Sequence, residues 1–183
     1  MKSNISLIGF MGTGKSAIGR NIARELGYKF LDTDRYIEEF MGMTIAEIFT
    51  TMGEKSFREL ENQMLKKIIT KKNCVIATGG GIVLSKENRD LLKHTTFVVC
   101  LKATSKTIYY RTKRKSNRPL LGTQKPLKKI NELLKQRKGL YDFGDITLYT
   151  DNFKINELTK MIIHQYNRYS IKDKTKNKSN EKE

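Results

Sequence analysis

A parallel α/β sheet with helices on both faces is the fold class this sequence predicts, on two observations. Five short apolar runs, at 4–8, 28–33, 74–77, 96–101 and 146–150, alternate with stretches whose apolar residues recur at helical spacing. Between the first run and the first such stretch stands Gly9-Phe10-Met11-Gly12-Thr13-Gly14-Lys15-Ser16, a complete G-x-x-x-x-G-K-[ST] pattern.

The elements follow in order. The first strand covers Asn4 to Ile8, and the helix after the glycine-rich loop runs from Ser16 to Leu26, with Ile18, Ile22, Ala23 and Leu26 on one face and Gly27 as its stop. Tyr28 to Thr33 reads as the second strand. Thr44 to Phe49 reads as a short helix, since Thr44 and Glu47 have capping-box spacing. Met52-Gly53 breaks the chain before a longer helix from Glu54 to Thr70, which carries Phe57, Leu60, Met64, Leu65 and Ile68 on one side. Cys74 to Ala77 and Thr96 to Leu101 are strands, separated by Gly79-Gly80-Gly81 and a polar helix over Lys86 to Leu92. A basic helix and loop, a helix over Leu127 to Tyr141, a fifth strand over Ile146 to Thr150 and a last helix over Ile155 to Tyr169 complete the pattern.

Length and composition set limits on function. A chain of 183 residues, 38% of them hydrophobic, can bury one core and is expected to form one domain. Neither an apolar stretch of membrane-spanning length nor a signal-peptide pattern is found, so a cytoplasmic protein with no membrane partner is expected. Cys74 and Cys100 each sit inside an apolar strand without C-x-x-C spacing, which reads as buried thiols. His94 and His164 have no partners at metal-ligand spacing and read as packing or surface residues.

The formal net charge is +17, and its placement is uneven. Thirteen Lys or Arg stand between Lys102 and Lys138 against one acid, Glu132. Lys172 to Glu183 has five lysines and almost nothing apolar, and reads as a solvated, disordered tail. A nucleic-acid-binding class is the reading these charges invite. No RNP-like aromatic motif, zinc spacing or helix-turn-helix pattern supports it, so weak, salt-sensitive binding and no specific nucleic-acid partner are expected.

The glycine-rich pattern is a phosphate cradle. Its glycines let successive N–H groups converge on phosphate oxygens, the following helix presents its positive end, Lys15 adds a full charge, and Ser16 can supply an oxygen to Mg²⁺. Three further groups stand at strand ends or on helices. Asp32-Thr33-Asp34 closes the second strand, where residues two apart share a face; the pair could hold a magnesium ion's water shell and take a hydroxyl proton, or be solvated turn aspartates. Gly79-Gly80-Gly81 suits close approach of a ligand to the backbone, or a flexible turn. Arg58 and Arg137 lie in ordinary amphipathic helical contexts. Arg118 introduces the apolar Pro119-Leu120-Leu121 into the most cationic part of the chain, as a lid that closes over phosphates would.

Taken in order and spacing, Gly9 to Ser16, Asp32-Thr33-Asp34, Phe57-Arg58 with Glu61, Gly79-Gly80-Gly81, Arg118-Pro119-Leu120-Leu121 and Arg137 with Tyr141 resemble shikimate kinase over about residues 3–150. The resemblance implies the five-stranded P-loop fold of the nucleoside monophosphate kinases over residues 1–171, with a substrate-binding helical segment over about 33–61 and a mobile lid over about 112–124. It implies a monomer that uses ATP and one Mg²⁺ to phosphorylate the 3-hydroxyl of shikimate. Lys15, Asp34 and Arg118 are then the catalytic residues. Gly12, Thr13, Gly14, Lys15, Ser16, Ala17, Arg111 and Arg118 hold the nucleotide, and Ser16 with Asp32 hold Mg²⁺. Asp34, Arg58, Gly80, Gly81 and Arg137 hold shikimate, with Glu61 orienting Arg58. Ala17 stands where the family often has Ser or Thr, and Tyr141-Asp142-Phe143-Gly144-Asp145 departs from the usual segment. The alternative is another small-molecule kinase on the same fold, acting on gluconate or a nucleoside monophosphate.

Overall fold

The computed structural model describes residues 2–113 and 125–180, those from 172 onward as backbone alone. Strands β1 (Asn4–Ile8), β2 (Lys29–Asp32), β3 (Cys74–Ala77), β4 (Thr96–Lys102) and β5 (Ile146–Tyr149) form a parallel sheet in the order β2-β3-β1-β4-β5. The expected fold class and all five expected strands are therefore present. β1 is central, with Ile5 opposite Val75 on one side and Phe97 on the other. Its five residues are all buried, which is why it reads as a continuous apolar run rather than an alternating one.

Helices α1 (Lys15–Leu26), α2 (Thr33–Met41), α3 (Ile45–Ile69), α4 (Lys86–Thr95), α5 (Ser105–Thr112), α6 (Pro126–Gln136) and α7 (Ile155–Asn180) cover the sheet. On one face Ile18, Ile22 and Ala23 of α1 and Leu158, Ile162 and Tyr166 of α7 pack with Ile5, Leu7, Val75 and Val99. A second cluster includes Leu65 of α3, Leu92 of α4 and Tyr141 with Ile8, Val98 and Cys100. After β1 the chain leads to β2, and after β3 it crosses to β4 on the other side of β1. Connections leaving adjacent strand ends in opposite directions open a crevice there, the standard ligand position in such sheets.

Several expectations are corrected. β2 stops at Asp32, and Thr33 already begins α2, so Asp32 and Asp34 are not two strand residues sharing a face. The cause is local: the Asp32 side chain accepts from the Asp34 amide and caps α2, a contact worth about 1 kcal/mol. Thr44 and Glu47 do form the capping box, and Gly53 (φ 78°, ψ 169°) does break the helical path; helical geometry resumes at once, so α3 continues to Ile69. α6 ends at Gln136, which leaves Arg137 as its C-cap rather than on the helix. α7 runs on to Asn180, so residues 172–180, expected to be disordered, have a helical backbone. No glycine or proline stands between Ile155 and Asn180 to stop it, and lysine is a good helix former. Residues 114–124, most of the expected lid with Arg118, lie outside the described residues.

Candidate active site

The crevice between the β1 and β3 ends holds a cleft of about 490 Å³, lined by the glycine-rich loop, Asp32, Asp34, Arg58, Glu61, Gly79 to Gly81, Arg111 and Arg137. Ala17, exposed at the start of α1, also lines the cleft, whereas Thr13 is buried with its hydroxyl on the Phe10 carbonyl.

On the β1 side, Gly14 (φ 95°) caps α1 in a conformation that only glycine adopts cheaply, and turns the helix start toward the cleft. Lys15 folds back over the loop, its Nζ donating to the carbonyls of Gly9 (2.8 Å) and Phe10 (2.9 Å). The charge is thus held beside the loop and is fed into the cleft from a fixed direction. Ser16 Oγ donates to Asp32 Oδ2 at 2.7 Å, which joins the α1 start to the β2 end. These two oxygens are a hard donor set of the kind Mg²⁺ takes alongside water. Arg111 is pinned on Thr150, Nη1 to the hydroxyl and Nη2 to the carbonyl at 2.8 Å each, with a longer contact from Nη1 to the Gly12 carbonyl.

On the β3 side, the three glycines play different parts. A Cβ on Gly79 would stand 2.5 Å from Asp34 Oδ1 and 2.7 Å from Glu61 Oε1, and one on Gly81 would fall inside the Arg58 guanidinium. Those two glycines make room for the protein's own side chains, whereas Gly80 is half-buried and borders the cleft. The Gly79 amide donates to Thr33 Oγ1, fixing the run against the start of α2. The Gly80 carbonyl accepts from both Arg137 Nη1 (2.9 Å) and Tyr141 Oη (2.8 Å), and the Arg137 guanidinium also lies over the Phe10 ring.

Arg58 is held by two carboxylates, Nη1 donating to Glu61 and Nη2 to Glu54. Glu61 is only 1% exposed; burial outweighs the attraction of Arg58 and, helped by Asp34, pushes its carboxyl up to about 7. For Arg58 the balance is reversed: burial alone would lower its pKa, but Glu61 and Glu54 together raise it. The Arg58 contact with Glu54 and the shared hold of Tyr141 on Gly80 escaped sequence reasoning. The i,i+4 spacing of Glu54 and Arg58 was the available signal for the first.

Comparison with known proteins agrees with this geometry. The shikimate kinase family profile matches residues 11–167. A shikimate kinase from Thermodesulfovibrio yellowstonii is 46% identical over 167 residues, 91% of this chain and 96% of that one. The solved shikimate kinase from Acinetobacter baumannii, in complex with shikimate, superposes with a TM-score of 0.88 at 38% identity, covering 91% of this chain and 94% of that one. A gluconokinase from Sinorhizobium meliloti, at 16% identity and a TM-score of 0.54 over 87% of this chain and 88% of that one, shares the fold alone. The chain belongs to the shikimate kinase family, ATP-dependent kinases that transfer a phosphoryl group to shikimate.

Proposed function

We propose that the γ-phosphoryl group of ATP passes to the 3-hydroxyl of shikimate inside the cleft at the β1 and β3 ends, with the donor held by the glycine-rich loop and the acceptor by Asp34, Arg58, Gly80, Gly81 and Arg137. The observation that carries this reading is the convergence of Arg58 and Arg137 on Gly80 and Gly81, in the same cleft as Lys15 and Ser16. Two guanidiniums suit a small ring with a single carboxylate, since each can grip it through two donors.

The residue roles follow from position. The amides of Gly12 to Ala17 and the α1 start cradle the phosphates, and Lys15 moves from its carbonyl partners onto the transferring group. Asp34, in the first turn of α2 beside Gly79, accepts from the ring hydroxyls, orients the 3-hydroxyl and takes its proton as the phosphoryl group departs from ADP. Ser16 and Asp32 fit Mg²⁺ by their donor chemistry and would hold it, and the ion supplies neutralisation of phosphate charge. Arg111 flanks the nucleotide from its anchor on Thr150. Arg118 remains the lid cation assigned above; α5, which leads into that segment, abuts the loop, since a Cβ on Gly12 would stand 2.8 Å from Thr112 Cγ2.

A single chain supplies both halves of the cleft, which supports a monomer, and two buried free thiols suit the cytoplasm. The test is ADP release measured with shikimate, gluconate and nucleoside monophosphates as acceptors. Turnover is expected with shikimate; none with shikimate and clear turnover with another acceptor overturns the reading.

A further inference from the structure

The three nitrogens of Arg58 are used unequally. Nη1 donates to Glu61 Oε2 at 2.8 Å and Nη2 to Glu54 Oε1 at 3.0 Å, while Nε is buried without a hydrogen-bond partner. In an arginine side chain the Nε–H and one Nη2–H point the same way, and a carboxylate binds that edge through both oxygens. Glu54 bonds Nη2 and leaves Nε unmet.

The two acids also differ in how firmly they are held. The Glu61 side chain is 1% exposed and shares the buried side of α3, whereas that of Glu54 is 55% exposed and follows the break at Gly53 directly. Little resists the withdrawal of Glu54 into water, because an ion pair with an exposed partner contributes weakly and its carboxylate is readily rehydrated. A ligand carboxylate reaching the same edge would satisfy both Nη2 and the unpartnered Nε, which Glu54 does not.

We propose that Glu54 is an intramolecular competitor for the substrate carboxylate: the two share one edge of Arg58, and shikimate binds by taking Nη2 from Glu54. The inference rests on the assignment of Arg58 to the carboxylate site. Glu54 thereby acts on specificity. An uncharged polyol of the same size cannot displace it, so the edge opens only to an anion that grips two nitrogens at once.

The test is calorimetric titration with shikimate and with its uncharged methyl ester, on the unaltered enzyme and on Glu54→Gln, Glu54→Ala, Glu59→Gln and Arg58→Lys. Removing a pair that must break on binding should tighten shikimate about two- to five-fold in both Glu54 variants, given the usual strength of exposed ion pairs. Ester affinity should stay unchanged. Glu59→Gln, which removes an exposed charge from the same helix, should leave shikimate affinity unchanged. Unchanged or weaker shikimate binding in both Glu54 variants, equal tightening of the ester, or equal tightening by Glu59→Gln overturns the inference. If Arg58→Lys binds shikimate as tightly as the unaltered enzyme, the carboxylate assignment itself fails; weakened binding there with no gain at Glu54 defeats only the competitor role.

Discussion

Arg137 donates from Nη1 to the Gly80 carbonyl at 2.9 Å, so a cation from the C-cap of α6 is tied to the loop that follows β3. Tyr141 donates to the same oxygen at 2.8 Å from the segment after α6. Two donors on one carbonyl orient the Gly80 peptide at the edge of the cleft.

Tyr141→Phe should therefore loosen the shikimate site without touching the phosphate side. Loss of one buried hydrogen bond, about 1 kcal/mol, corresponds to a rise of about fivefold in the KM for shikimate with kcat within about twofold. Steady-state kinetics checks it, and a fall in kcat equal to the fall in kcat/KM would show that the tyrosine acts on the chemical step instead.

Lys15→Ala should remove the charge that the Gly9 and Phe10 carbonyls hold in readiness. A donor acting mainly on the developing transition-state charge typically accounts for about 10²- to 10³-fold in kcat. Shikimate affinity, measured by calorimetry, should stay within about twofold of the unaltered enzyme. A large loss of shikimate affinity would mean that the substitution disturbs the whole crevice.

Gly81→Ala is expected to expel Arg58. The glycine has φ −99°, which alanine tolerates, so the cost is steric alone: the new methyl would lie 2.6 Å from Nη2 and 2.7 Å from Cζ. Overpacking of this kind costs about 1–3 kcal/mol and should appear in urea denaturation. Shikimate affinity should fall about tenfold or more while ATP affinity holds, and equal losses for both substrates would count against the displacement of Arg58 as the cause.

Glu61 gives a pH prediction with a definite sign. Its carboxyl titrates at about 7 in the folded chain against an ordinary value of 4.5, so between those pH values the folded state binds more protons than the unfolded state. Stability from this group is fully present below about pH 4.5 and is lost as pH rises through about 7. Glu61→Gln should abolish that contribution, so the Tm difference between the variant and the unaltered enzyme should change across this window. A constant difference from pH 4.5 to 8 would show that Arg58 keeps Glu61 ionised throughout.

The strands were legible because buried parallel strands are short apolar runs, and α1 because its apolar spacing meets Gly27. α2 was missed for a physical reason. Asp32-Thr33-Asp34 carries the signal of an N-cap, and the apolar run ahead of it, Phe30-Leu31, led the strand past Asp32 into the first residue of α2. The cradle was legible from local chemistry alone. Arg58 and Arg137, by contrast, are ordinary helix-region arginines in sequence; only the ordered resemblance singled them out, because what distinguishes them is burial against Gly81 and Gly80, residues far away in the chain. The same is true of Gly79 and Gly81, whose missing side chains leave room for Asp34, Glu61 and Arg58.

Asp32 carries two contacts at once: Oδ1 accepts from the Asp34 amide and Oδ2 from the Ser16 hydroxyl. One carboxylate thus belongs both to the nucleotide half of the cleft and to the seat of the helix that bears Asp34. On the proposed roles, loading of the donor side and the orientation of Asp34 share a mechanical joint, so the two substrates' affinities should be linked through this residue, and by reciprocity each should report the other's occupancy equally. An enzyme altered at position 32 should lose that mutual dependence before it loses either binding event alone.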